Sequence, residues 1–300
     1  MNRYLATYDL HLHSCWSYDA AVRPEEYFQM AREHHLRAFA ITDHHNFCVI
    51  PEMVKLAPKY PDVHWIPGAE LSANTPFGEM DFVCLGLPLE PTPAMAELQA
   101  ELLEYQHKMA LAFQKTVEAL GGTYTADERK KLLLRYRPEE VVDFFGDTHV
   151  RNELQASYLI GKGVVADTAT WYRKWREFHF YPSLPSADRV SRIVHEAGGI
   201  VLIAHPSGYF GGMNEKRMDA LREFSGFDGI ECAHPSTPPE NGTFYRKYCE
   251  KYHLLSSGGT DLHFRPGQEL PEVPEFHTFA EHVGRDRWLD EILERITTLQ

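Results

Sequence analysis

Five clusters of nitrogen and oxygen ligands punctuate the chain: Asp9-Leu10-His11-Leu12-His13, Ile41-Thr42-Asp43-His44-His45-Asn46, Gly68-Ala69-Glu70, Ala204-His205-Pro206 and Gly259-Thr260-Asp261-Leu262-His263. Imidazole and carboxylate ligands without a thiolate suit Zn, Mn or Fe and not a cysteine-based structural zinc site. In the first cluster, the period of two along an extended chain places Asp9, His11 and His13 on one side, so that two imidazoles can share an ion. In the second, Asp43 stands beside His44 and can hold an imidazole through a hydrogen bond. Glu70 can bridge two ions, and its burial demands a partner, because an unpaired buried carboxylate costs on the order of several kcal/mol. A single His-x-His pair is as often a surface coincidence as a site; the recurrence at successive positions is what points to chemistry. Adjacent ions supply hydroxide near neutral pH and clamp the attacking and leaving oxygens of an in-line displacement. Phosphate ester hydrolysis, among the slowest uncatalysed reactions, needs that help most.

Each cluster closes an apolar segment that reads as a strand. Strands are predicted over Leu5–Leu10, Ala38–Thr42, His64–Gly68, Phe82–Leu85, Ile200–Ala204, Gly229–Cys232 and Leu254–Ser257, with helical patterns between them, one opening at Pro24. Strands alternating with helices imply a parallel α/β sheet, and in β/α barrels the active site lies at the C-terminal strand ends. From 90 to 185 the texture changes to helical patterns over Ala94–Leu120, Pro138–Phe145, Val150–Lys162 and Thr170–Arg176. The organisation read from this is a barrel made of 1–89 and 186–300 with a helical insert at 90–185. Trp171, Tyr172 and Trp175 fall at helical spacing, which suits packing of the insert better than stacking on a nucleobase.

Composition narrows the partners. A chain of 300 residues with 43% hydrophobic content can bury one large barrel, and a formal charge of -13 argues against a standing nucleic-acid partner. The five cysteines are scattered, odd in number and without a CxxC pair, which fits a reduced, cytoplasmic setting. Met1–Asp9 lacks a basic segment followed by an apolar core, and no apolar run is long enough to span a bilayer. A small molecule is the expected partner; the oligomeric state is left open.

The order of the motifs, Asp-Leu-His-Leu-His-Ser, Thr-Asp-His-His-Asn, Gly-Ala-Glu, Ala-His-Pro and Thr-Asp-Leu-His, resembles the polymerase and histidinol phosphatase (PHP) superfamily. The helical segment is similar to the insert of small PHP enzymes that hydrolyse nucleotide monophosphates, bisphosphates or cyclic phosphates. The resemblance implies a distorted, TIM-like (β/α)7 barrel and two to three divalent ions. It assigns His11, His13, Glu70 and Asp261 to a first ion, with Glu70 bridging to a second that also takes His205 and Asp81, and Asp19, His44 and His263 to a third. Asp19 enters through Ser17-Tyr18-Asp19-Ala20, where Ala replaces the Gly of similar loops. Asp81 stands where similar enzymes carry His, which adds negative charge to the second site. His234 is expected beside the site, along with Asp9 and Asp43.

Two departures bear on the substrate. Gly208 occupies the position after His205-Pro206 where monophosphate-hydrolysing relatives place Arg, and Asp147 replaces an Arg shortly before His149. A bidentate guanidinium clamp on phosphate is thereby lost, and Arg151 and Arg265 are the candidates to replace it. His149 is the candidate to protonate the leaving group. The reading is a metal-dependent phosphoesterase acting on a small monoester or cyclic diester. The rivals are an amidohydrolase, against which no strand-end lysine is available to bridge ions, and a non-catalytic metal-binding PHP module.

Overall fold

The computed structural model describes residues 5–268, 270–273 and 278–299; of the N-terminal stretch read above, 1–4 lies outside them. Seven strands, β1 (Tyr8–Leu12), β2 (Ala38–Ile41), β3 (His64–Thr75), β4 (Gly78–Leu85), β5 (Ile200–Ile203), β6 (Gly229–Ala233) and β7 (Leu255–Gly258), lie side by side in chain order. All but β3 and β4 are buried along their whole length, as strands covered on both faces must be. Helices α1 (Pro24–Glu33) and α2 (Ile50–Leu56) follow β1 and β2. Between β4 and α8 (Ala187–Glu196) the chain is helical: α3 (Pro93–Ala119), α4 (Ala126–Leu133), α5 (Glu139–Phe145), α6 (Asn152–Gly161) and α7 (Thr168–Phe178). Short α9 (Ser207–Phe210) and α10 (Glu215–Ser225) link β5 to β6, α11 (Pro239–Tyr252) links β6 to β7, and α12 (Asp286–Leu299) follows β7.

The sheet departs from the parallel expectation at β4, which pairs antiparallel with both β3 and β5. The cause is local. Thr75 and Gly78 face each other across Pro76 and Phe77, and strands joined by so tight a turn can only run antiparallel. Gly78, at φ 105°, takes the backbone conformation that a side chain would resist. The hairpin also carries β3 well past the predicted end at Gly68, so Glu70 lies inside a strand and not at its tip.

A second departure is α4, a helix without a sequence prediction. Its start is a capping box: Glu128 N donates to Thr125 Oγ1 at 3.3 Å and Thr125 N donates to Glu128 Oε2 at 2.7 Å.

The sheet curls until β1 meets the chain leaving β7. Leu12 bridges Leu262, Asp261 N donates to His11 O at 2.8 Å, and His13 N donates to Leu262 O at 2.9 Å. The barrel is thus distorted, its last seam being one bridge and not a β1–β7 ladder. Side chains two apart share a face, so Ile66 lies on the face of Glu70, and Val83 and Leu85 on that of Asp81. These apolar residues pack with Leu202 and with Leu289, Ile292 and Ile296 of α12, which stops one end of the barrel beneath the polar layer. The opposite faces of the strands pack on α1, α8, α10 and α11. The helices between β4 and α8 gather around Phe113, Leu133, Leu154 and Trp171, with Ala21 and Phe264 in the same cluster. Trp171 is therefore a packing residue, as its spacing implied.

Candidate metal centre

Glu70 is wholly buried and ringed by imidazoles. Its Oε2 lies 3.1 Å from His11 Nε2, 3.2 Å from His13 Nε2 and 3.2 Å from His44 Nδ1, and its Oε1 lies 3.0 Å from His205 Nε2. Asp261 Oδ1 is 3.0 Å from His13 Nε2 and 3.4 Å from His11 Nε2. Asp19 Oδ2 is 3.5 Å from His44 Nε2 and 3.3 Å from His263 Nε2. Three groups follow, each with ligand atoms within 4.8 Å of one another: His11, His13, Glu70 and Asp261; His13, Asp19, His44 and His263; and Glu70, Asp81 and His205. His13 and Glu70 each belong to two of them.

Despite this crowding, His11 Nε2, His13 Nε2, His44 Nδ1 and Glu70 Oε2 are buried without a hydrogen bond. Donor atoms that converge without bonding one another are aimed at a shared centre, which is what a cation requires. The residues fit divalent ions.

Charge gives the same answer. Burial opposes protonation of His13, but Asp261 and Glu70 override it and hold the imidazole at about 10. His205 stands at about 9, burial being outweighed by Glu70 and then Asp81. Burial would raise Glu70 and Asp261, yet the surrounding histidines, His11 foremost, hold both well below the carboxylate range. Without ions, protons supply the missing positive charge. The sign is fixed: stabilisation from His13 is complete below its ordinary value of 6.5 and is lost as pH rises toward about 10. Metal-free protein is therefore expected to melt at progressively lower temperature from pH 7 to pH 10; a midpoint that rises over that interval contradicts the assignment.

Glu231, inside β6, has no counterpart among the expected site residues. It is buried; His11 Nδ1 lies 3.1 Å from its Oε1, and His205 N donates to its Oε2 at 2.7 Å. This carboxylate fixes the tautomer of His11, leaving Nε2 to face the ligand group, and ties β1 to the turn that follows β5. The available signal was a charged residue within an apolar strand. Glu231→Gln is expected to weaken metal retention about 10- to 100-fold, read as metal per chain after dialysis against a competing chelator; unchanged retention contradicts the role.

The other expected residues take varied places. The register of β1 on β2 shifts between Asp9 and Leu12, which breaks the period of two. His11 and His13 reach the clusters, whereas Asp9 accepts from Thr260 N at 3.0 Å, Thr260 Oγ1 at 2.6 Å and Ala280 N at 2.9 Å. Asp43 holds no imidazole: it accepts from Ser14 N at 2.6 Å and Ser14 Oγ at 2.7 Å, fixing the loop after His13. Asp81 accepts from Ser72 and Tyr209 hydroxyls. His234 Nε2 lies 3.8 Å from Asp261 Oδ2. His205 and Asp261 sit at φ 26° and 56°, uncommon values for residues other than glycine, of the kind that cluster at functional sites.

The candidate arginines are engaged elsewhere. Arg151 donates to Asp19 O at 3.1 Å and pairs with Glu153, and Arg265 pairs with Glu26 at 2.6 Å. Asp147, the residue in place of an arginine, binds the buried Arg129 at 2.6 and 2.7 Å and so serves the helical packing. His149 packs against Tyr18 with ring centroids 3.9 Å apart and planes tilted by 39°; burial, then His45, push it down to about 3. It meets the site as a neutral imidazole.

A cavity of about 400 Å³ lies against this centre, reaching from Asp81, His45 and Tyr209 to Tyr105 and Trp175.

Residues 9–177 match the PHP domain family. The chain belongs to that family. A 5'-3' exoribonuclease of Haemophilus influenzae is 27% identical over 267 residues, which cover 87% of this chain and 91% of the relative. Two solved structures share the fold. An amidohydrolase from Chromobacterium violaceum superposes with a TM-score of 0.73 at 23% identity over 97% of both chains. A protein from Bifidobacterium adolescentis assigned as a metal-dependent phosphoesterase does so with 0.72 at 22% identity over 96% of both. PHP membership and the three ligand groups together make the chain a metal-dependent hydrolase. Among the described residues, no helix is long and apolar enough to cross a membrane.

Proposed function

We propose that this PHP protein hydrolyses a small phosphate ester, with two to three divalent ions (Mn, Fe or Zn) held by the three ligand groups. The observation that carries the reading is the sharing of His13 and Glu70, which makes the groups contiguous. Adjacent divalent ions activate water and stabilise the charge on both the attacking and leaving oxygens of a phosphoryl displacement. The protein's own part is to hold the ligands in place from separate strands, through Glu231 on His11 and Asp9 on the barrel seam, and to exclude water from the buried layer around Glu70. His149, neutral where it sits, is suited to hold a leaving oxygen by a hydrogen bond, and water returns the proton.

In this reading 90–185 is an inserted helical domain that carries His149 over a barrel made of 1–89 and 186–300, and the substrate is a cytoplasmic small molecule. The exoribonuclease relative supports phosphate ester chemistry. An amidohydrolase with a carboxylated lysine between its ions is disfavoured, because none of the five strand-end motifs carries a lysine.

The test is phosphate release from aryl phosphates, nucleoside monophosphates and cyclic phosphates, before and after chelation. Turnover lost on chelation and restored by metal supports the reading; hydrolysis of acyl amides with no phosphate released from any ester overturns it.

A further inference from the structure

The cavity beside the metal centre has a composition of its own. No lysine or arginine lines it among the described residues. Its walls are aromatic: Tyr105 and Tyr172 contribute, Trp175 stacks on Phe113 at 4.1 Å between centroids, and Tyr181 meets Trp175 edge-on at 4.5 Å. Two carboxylates, Glu79 and Asp81, face it from alternate positions of β4. Asp81 is occupied by Ser72 and Tyr209, whereas Glu79 has no ion pair with any described residue. His45 and His149 also line the cavity, and Nδ1 of each is buried without a hydrogen bond.

The phosphoryl group of an ester must lie at the metal end, so the cavity is left for the leaving group. A volume of about 400 Å³ admits one ring with a short side chain, not a strand of nucleotides. A second phosphate there would meet carboxylates and no fixed cation. An ammonium group would meet ring faces and Glu79, the two features that bind a cation together. We infer that the leaving group of the substrate is a flat or short apolar frame bearing a protonated amine, with Glu79 as the residue that selects for it. The inference rests on the phosphoesterase reading above. It separates this chain from a relative that acts on RNA, whose charge is of the opposite sign.

The experiment compares kcat/KM of the metal-loaded full chain for three esters. These are 4-(2-aminoethyl)phenyl phosphate, its neutral counterpart 4-propylphenyl phosphate, and adenosine 3',5'-bisphosphate. The wild type is expected to favour the amine over its neutral counterpart by about tenfold and to use the bisphosphate least, and in Glu79→Gln the ratio between the first two should fall to about one. Equal use of the amine and neutral esters, a ratio that survives Glu79→Gln, or preference for the bisphosphate overturns the inference while leaving the phosphoesterase reading intact. No phosphate from any of the three, by a chain that carries its metals, removes both.

Discussion

Replacing Glu70 by Gln is expected to lower kcat/KM for phosphate release at least about a thousandfold, a loss of about 4 kcal/mol of transition-state stabilisation. The side chain keeps its shape, so packing beside Ala69 and Leu71 changes little. Two things are lost. The negative charge that His11, His13, His44 and His205 surround disappears, and an amide N–H2 turns a donor toward nitrogens that must present lone pairs to an ion. Because Glu70 belongs to two ligand groups, both are expected to lose metal together. The check is phosphate release and metal per chain on one preparation, with circular dichroism to confirm the fold. Activity within about tenfold of the wild type would remove Glu70 from the centre of the mechanism.

The largest effect on stability is expected at Asp9. Its carboxylate sits in the barrel seam and accepts from three backbone N–H groups and one hydroxyl, on His11, Thr260 and Ala280. Burial raises its affinity for a proton, and His282 and these bonds act against that. Asp9→Ala strands the donors inside the protein and frees the chain leaving β7 from β1. A loss of about 3 to 5 kcal/mol is expected from breaking a buried, fully bonded charge, measured by urea denaturation of metal-free protein. Asp9→Asn should recover only part of it, since one of its two positions becomes a donor facing another donor. A loss below about 1 kcal/mol would mean that the seam is held elsewhere.

The two substitutions sit on opposite sides of what the residues alone disclosed. Glu70, His205, Asp261, His11, His13 and His44 were legible because each follows or ends an apolar run, and burial there forces a polar group to have a purpose. Periodicity placed Asp9 on the side of His11 and His13, and Asp43 was given an imidazole that it does not hold. A register shift in β1 sends Asp9 to the seam, and Asp43 takes Ser14 N and Oγ as its partners. Such contacts depend on long-range geometry that periodicity does not carry. Glu231 was missed although a lone carboxylate in Gly229–Ala233 has few reasons to be there other than a partner.

The fold shows the same division. Apolar runs located every strand, but their direction is decided by the connections. The antiparallel course of β4 was written in Pro76-Phe77-Gly78, a turn too short for a crossover, and α4 was written in Thr125 and Glu128. Both signals are local, and both were outweighed by the stronger alternation of strands and helices around them. Trp175 and Tyr172 show the converse limit: helical spacing marks them as packing residues, yet both also line the cavity, because a residue at the end of a core can face a ligand as well.

The central claim is that His13 and Glu70 join adjacent ion sites into one phosphoesterase centre. Metal per chain by elemental mass spectrometry, on the sample assayed for phosphate release, tests it most directly. About two to three equivalents of Mn, Fe or Zn, with turnover that disappears on chelation and returns with the metal, is the expected result. A fully loaded chain that releases phosphate from no ester, or turnover that persists once the metal is gone, would contradict it.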